Sequence, residues 1–222
     1  MEKVVIIGGK GTAIVVAEQI YDAQIKHGSP IEFLGFAFDD ESFGQEINGF
    51  PILTKTTLAY EKYKKYNDVK FIFQLYRPDL LKERIALLQT YLIPEERFCT
   101  FVHPSCMISR SAKIGTGTVI MANTIVNPNA EIGKFCTIQS NATIGHDSKM
   151  GDFNFIAAQT TVGNLVMGNR NFLGINVTTN NFITIGNDCF VGMASNVVKS
   201  IPSGSKVYGN PAKPFFTEIK PL

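Results

Sequence analysis

The 222 residues contain only three histidines. One of them, His146, is followed directly by a carboxylate in Thr143-Ile144-Gly145-His146-Asp147. An imidazole changes charge near neutrality, and an adjacent carboxylate can fix its tautomer and stabilise the imidazolium, which is what a general base needs. Taken alone, such a pair reads more simply as a histidine in a surface turn. His27, in Lys26-His27-Gly28, has the look of a helix end, and His103 precedes Pro104 in a structural setting. What His146 can do therefore depends on what holds it.

The chain around it repeats every six residues. Stepping from Val102 gives Ile108, Ile114, Ile120, Val126, Ile132, Ile138, Ile144, Met150, Ile156 and Val162. The phase then slips by one, and Met167, Leu173, Thr179, Ile185, Val191 and Val197 continue, with Thr179 the one polar member. Four residues after most of these stands a small side chain, among them Cys106, Ala112, Thr118, Thr124, Ala130, Cys136, Ala142, Ser148, Thr160, Cys189 and Ser195. Neither a 3.6-residue helix nor simple strand alternation produces that pattern. One large and one small residue per hexad suits a narrow prism of short parallel strands, turned at corners rich in Gly, Asn and Asp. Its coils are stable only when stacked. His146, two residues past Ile144, then falls near a corner and not inside the prism.

The first hundred residues read differently. Apolar runs at Val4 to Ile7, Phe33 to Phe38 and Val69 to Leu75 predict strands, with helices between them. Ala13, Val16, Ala17, Ile20 and Ala23 line one helical face, and Leu81, Ile85, Leu88 and Leu92 another, opened by Pro78 and Asp79. The alternation predicts a small, Rossmann-like parallel sheet with helices packed on it, which binds ligands at the carboxyl ends of its strands. There the first strand runs into Gly8-Gly9-Lys10-Gly11-Thr12, a turn whose backbone amides and helix N-terminus suit a phosphate. Ile14 stands where a dinucleotide fingerprint would carry its third glycine, so a smaller nucleotide is expected. Asp39 and Asp40, after the second strand, are candidate ribose or base contacts. The lysine-rich Glu61 to Lys65 reads as the solvated face of a helix.

Composition narrows the field. A net charge of +2 without a basic block argues against nucleic acid as a partner. There is no apolar run long enough for a membrane span, and no signal peptide opens the sequence, so a cytoplasmic location is expected. Cys99, Cys106, Cys136 and Cys189 lack the close spacing of metal or redox motifs and read as inert interior thiols.

The whole pattern resembles the bacterial sugar O/N-acyltransferases of the hexapeptide-repeat superfamily, which include sialic acid O-acetyltransferase-like proteins and nucleotide-amino-sugar N-acetyltransferases. The resemblance rests on the glycine-rich turn with Val15-Val16-Ala17-Glu18, Gly35 to Asp40, His103-Pro104-Ser105, His146-Asp147 and the closing Val207-Tyr208-Gly209-Asn210-Pro211-Ala212-Lys213. It implies an α/β domain over residues 1–100 that binds a nucleotide-sugar. A left-handed parallel β-helix with a C-terminal tail would follow over 101–222. It also implies a homotrimer with acetyl-CoA as acyl donor and no metal. His146 would be the base and Asp147 its orienting partner. Phe155, Gly163, Gly174, Lys199, Lys206 and Lys213 would meet the acyl donor, the two glycines as backbone donors and the lysines at the phosphates. Gly8, Gly9, Lys10, Gly11, Thr12, Asp39, Asp40 and Gln139 would meet the acceptor. Two positions depart from the family. Gln139 replaces an Asn seven residues before the histidine, and Phe155 replaces a His nine residues after it.

The function expected is N-acetylation of a nucleotide-linked amino sugar for glycan or polysaccharide synthesis. The alternatives are O-acetylation of a sugar of the sialic acid type and a non-catalytic nucleotide-sugar-binding trimer. A nicotinamide oxidoreductase fits poorly, since the glycine fingerprint is incomplete.

Overall fold

The computed structural model describes residues 1–215. They form two compact units, Met1–Pro104 and the chain from Ser105 onward.

In the first unit β1 (Glu2–Ile7) leads into α1 (Thr12–His27), followed by β2 (Ile31–Ala37), β3 (Glu46–Ile47), β4 (Phe50–Thr54), α2 (Ala59–Tyr63), β5 (Val69–Phe73) and α3 (Leu81–Thr90). The sheet order is β3-β4-β2-β1-β5, parallel except for the antiparallel β3–β4 pair. Val4 to Ile7 are wholly buried, as a strand covered on both faces requires. All five residues expected on the inner face of α1 are also inaccessible. The β3–β4 hairpin is absent from the sequence expectation. Its signal was the dipeptide Asn48-Gly49, whose positive φ angles of 51° and 79° form a two-residue turn. The strands flanking it are too short to show a period.

A second correction concerns Leu92. The helix stops at Thr90, and Leu92 lies beyond it at φ 51° and 80% exposed. With Pro94 two residues on, the helix cannot continue far enough to turn Leu92 inward.

The second unit is a left-handed parallel β-helix of two-residue strands. Each pairs in parallel with the strand about eighteen residues away, as in Thr137↔Phe155 and Ile138↔Ile156. Three walls result. The first runs from Met107–Ile108 through Thr143–Ile144 to Asn196–Val197, and the second from Lys113–Ile114 to Thr184–Ile185. The third includes Val119–Ile120, Thr137–Ile138, Phe155–Ile156, Phe172–Leu173, Phe190–Val191 and Lys206–Tyr208, edged by the antiparallel Lys213–Pro214. The hexad aliphatics from Ile120 to Val197 point inward and are buried, Thr179 excepted. Corners are turned by residues at positive φ, including Asn123, Asn129, Asn141, Asp147, Asn176 and Asp188. Asn and Asp tolerate that region better than other residues with a Cβ.

Two hexads fill the small slot with asparagine. The Asn171 N–H donates to Asn154 Oδ1 at 2.8 Å, and the Cys189 N–H donates to Asn171 Oδ1 at 2.7 Å. These amides satisfy backbone donors inside the prism, as the hydroxyl of Thr118 does for Cys136. Burial pushes the Cys136 thiol up to about 12 and raises that of Cys189. Neither is a thiolate near neutrality.

Thr179 has a comparable role. Its Oγ1 accepts from the Gly163 N–H at 2.8 Å, next to the coil shortened by the phase slip. Thr179→Val restores the aliphatic pattern yet leaves that N–H without its acceptor. It should therefore lower stability by about 1 kcal/mol in chemical unfolding.

Candidate functional site

His146 stands in the corner between the first and second walls, just after Thr143–Ile144. Its ring and the Asp147 carboxylate are both well exposed, with Nδ1 and Oδ2 2.6 Å apart. The backbone makes that contact possible. Asp147 adopts φ 58°, and its N–H donates to Pro128 O one coil earlier at 2.9 Å. Its second oxygen, Oδ1, accepts from Asn129 Nδ2 at 2.9 Å. Hydrogen bonds from His146 and then from Asn129 hold the Asp147 carboxyl below the usual carboxylate range. An anionic Asp147 keeps the Nδ1 proton of a neutral imidazole and leaves the Nε2 lone pair for an incoming proton. Sequence reasoning missed Asn129. Its signal was the eighteen-residue offset from Asp147, which is one coil.

The walls separate Gln139, Phe155, Gly174, Lys206 and Lys213 from His146, whereas Gly163 and Lys199 follow first-wall strands as His146 does. Gln139 and Phe155 belong to the third wall, which faces away from the corner between the first and second. Gln139 Oε1 accepts from the Ala158 N–H at 3.1 Å. Phe155 is 5% exposed and begins a stack in which its ring lies 5.5 Å from Phe172, with Phe172 4.9 Å from Phe190. Lys206 continues the same column, in register with Phe190, and Lys213 pairs with Tyr208. Lys199 follows the last first-wall strand, three coils beyond His146 at ~4.8 Å per coil. All three lysines are exposed.

Gly163 and Gly174 do not offer the backbone donors expected of them. The Gly163 N–H donates to Thr179 Oγ1, and that of Gly174 to Val191 O at 2.9 Å. Both are glycine for want of space, because a Cβ at either would strike the next coil.

In the first unit, Gly8 takes φ 131°, and a Cβ at Gly9 would meet the Phe38 ring at 2.5 Å. No side chain caps α1. Among the described residues, the N–H groups of Gly9, Lys10, Gly11 and Thr12 find no acceptor, so the helix mouth presents donors to an anion. Lys10 Nζ pairs with Asp40 Oδ2 at 2.6 Å and lies 5.3 Å from the centre of the Phe43 ring. Hydrogen bonds from Lys10 and then Ser42 bring the Asp40 carboxyl down to about 2. Asp39 is differently committed. Its Oδ1 and Oδ2 accept from the N–H and hydroxyl of buried Thr56 at 3.0 and 2.6 Å, and Thr56 Oγ1 also accepts from Tyr91. Asp39 thus braces the end of β2.

Asp22, His27 and buried His103 bring potential ligand atoms within 4.8 Å of one another, and the two imidazoles meet edge to face. Asp22 is already paired with Lys26 at 2.5 Å. Among the described residues no helix is long and apolar enough to cross a membrane.

A bacterial transferase hexapeptide pattern of six repeats matches residues 111–146. Comparison with curated protein sequences returns no match. Among solved structures, a histidine variant of perosamine N-acetyltransferase from Caulobacter crescentus, in complex with CoA and GDP-perosamine, superposes with a TM-score of 0.82. It is 25% identical, over 98% of each chain. The acetyltransferase domain of PglB from Neisseria gonorrhoeae gives 0.79 at 27% identity, covering 97% of this chain and 100% of that one. WeeI from Acinetobacter baumannii, 22% identical over 97% of this chain and all of its own, shares the fold at 0.78.

Proposed function

We propose that this hexapeptide-repeat sugar acyltransferase transfers the acetyl group of acetyl-CoA to the amine of a nucleotide-linked amino sugar, with His146 as general base. The observation that carries the reading is the His146–Asp147 pair at an exposed β-helix corner, in a chain that superposes along its whole length on a sugar N-acetyltransferase bound to CoA and a nucleotide sugar. Nε2 of His146 accepts a proton from the amine as its nitrogen bonds to the thioester carbonyl carbon. The carbon–sulfur bond breaks, and the proton passes to the leaving thiolate. Asp147 stabilises the transient imidazolium. Positioning of amine and thioester supplies most of the acceleration.

The first unit, in this reading, receives the nucleotide at the mouth of α1. The open N–H groups from Gly9 to Thr12 and the Lys10 ammonium face its phosphates, while Asp40 holds Lys10 in place. Lys10→Ala should raise KM for the nucleotide sugar about tenfold or more and leave kcat nearly unchanged, as the loss of a charge-assisted contact remote from the reacting bond requires. Steady-state kinetics with the sugar varied at saturating acetyl-CoA measures both.

The chain acts as a homotrimer in the cytoplasm. Gln139, Phe155, Lys206 and Lys213 lie on a wall turned away from the His146 corner of their own copy. A neighbouring copy would bring that wall to the acyl donor beside His146. Thiol release from acetyl-CoA, measured against GDP-, UDP- and dTDP-linked amino sugars, tests the activity. Light scattering tests the assembly. Failure to release thiol with any amino sugar, alongside acetylation of a sugar hydroxyl, would replace N- by O-acetylation.

A further inference from the structure

Asn129 and Asp147 are eighteen residues apart and turn the same corner of consecutive coils, at φ 60° and 58°. Equivalent backbones send their side chains out in parallel, about 4.8 Å apart, which is one strand spacing. At that spacing the Asn129 amide reaches the carboxylate, and Nδ2 donates to Asp147 Oδ1 at 2.9 Å while Oδ2 faces His146 Nδ1 at 2.6 Å. The Asn129 backbone is anchored as well, because its N–H donates to Ser111 Oγ, one coil further back, at 3.0 Å. One hydrogen-bonded line thus descends the ridge from Ser111 through Asn129 and Asp147 to His146.

We infer that Asn129 is a positioning residue for the acyl transfer, fixing the orientation in which the Asp147 carboxylate meets the imidazole and so which nitrogen of His146 is left basic. This deepens the reading of His146 as general base and rests on it. His146 and Asp147 are both substantially exposed, and a carboxylate in water can rotate about χ2 and present either oxygen at several angles. A donor fixed on Oδ1 removes that freedom. The Nδ1–H tautomer is then favoured throughout, and Nε2 points to solvent with its lone pair free. Withdrawing charge through Oδ1 also moderates the pull of the carboxylate on the imidazolium. Loss of the donor should therefore strengthen that pull and move the acid limb of the rate profile to higher pH.

Asn129→Asp keeps the size and the tolerance of positive φ but replaces the Nδ2 donor with a second carboxylate. Asn129→Ala removes the side chain. The proposal predicts that both lower kcat five- to fiftyfold with KM for acetyl-CoA within twofold of wild type, and that the acid limb rises, further in Asn129→Asp. In ¹⁵N spectra of labelled histidine, assigned with His146→Ala, the wild type should show His146 with a protonated Nδ1 and an unprotonated Nε2. Both variants should show mixed tautomers, at an unchanged melting temperature in Asn129→Asp and at one a few degrees lower in Asn129→Ala, whose alanine is strained at φ 60°. Wild-type kcat, an unmoved acid limb and an unmixed tautomer in both variants, while His146→Ala is inactive, would overturn the role of Asn129 and leave the base intact. Full activity in His146→Ala would overturn the base, and the role of Asn129 with it.

Discussion

Replacing His146 with alanine is expected to lower kcat by about 10²–10⁴-fold, the usual contribution of a positioned general base. KM for acetyl-CoA should change little, because the side chain acts on the proton of the amine and not on the donor's binding groups. The protein should fold as before. His146 is largely exposed, its corner is held by backbone hydrogen bonds such as Asp147 N–H to Pro128 O, and no core contact is lost. Asp147→Asn should cost less than His146→Ala, since the imidazole remains while its tautomer preference and the stabilisation of its cation are lost. The order of the two effects is informative. If Asp147→Asn were the more damaging, the carboxylate itself would be the proton acceptor and His146 its partner. The measurement is thiol release under saturating acetyl-CoA and amino sugar, with melting curves run beside it.

The second large effect is structural. Gly133→Val should destabilise the β-helix by about 3 kcal/mol, near the upper end of the usual cost of overpacking. Gly133 ends a second-wall strand, and a Cβ built on it falls on the carbonyl carbon and oxygen of Gly151 in the next coil. Those atoms belong to the ladder and cannot rotate away as a side-chain tip would. Gly115 meets Gly133 in the same way, so one corner stacks glycine backbone on glycine backbone. With ~2–4 °C lost per kcal/mol for a chain of this size, the melting temperature should fall by about 6–12 °C. Gly204→Ala separates backbone strain from overpacking, for its Cβ would meet nothing within 4 Å but its residue lies at φ 77°, so it should cost only about 1–2 kcal/mol. A Gly133→Val protein melting with the wild type would mean that adjacent coils can separate and that the stack is looser than these contacts require.

The six-residue period determined the β-helix from sequence alone, because each coil must bury one aliphatic per wall and only that spacing returns it to the interior. The same count put His146 at a corner, since two residues past Ile144 lies outside the wall in any such prism. The inner face of α1 was equally legible from its helical spacing. Even the exception at Thr179 was visible, though its reason was not. The Gly163 N–H that donates to its Oγ1 lies sixteen residues earlier in sequence, on the preceding coil.

Everything that depended on contact between coils or between strands needed the tertiary structure. It withdrew Gly163 and Gly174 as donors because their N–H groups were already committed to the next coil, one to the Thr179 hydroxyl and one to a ladder carbonyl, and it tied Asp39 to Thr56, seventeen residues on. It added Asn129 to the His146–Asp147 pair and turned Gln139 and Phe155 to the opposite side of the prism. The physical reason is common to all of these. Periodicity reports which residues face inward, because burial is a property of each position. Hydrogen bonds between parallel coils join residues a full turn apart, and which donor finds which acceptor is settled only when the coils stack.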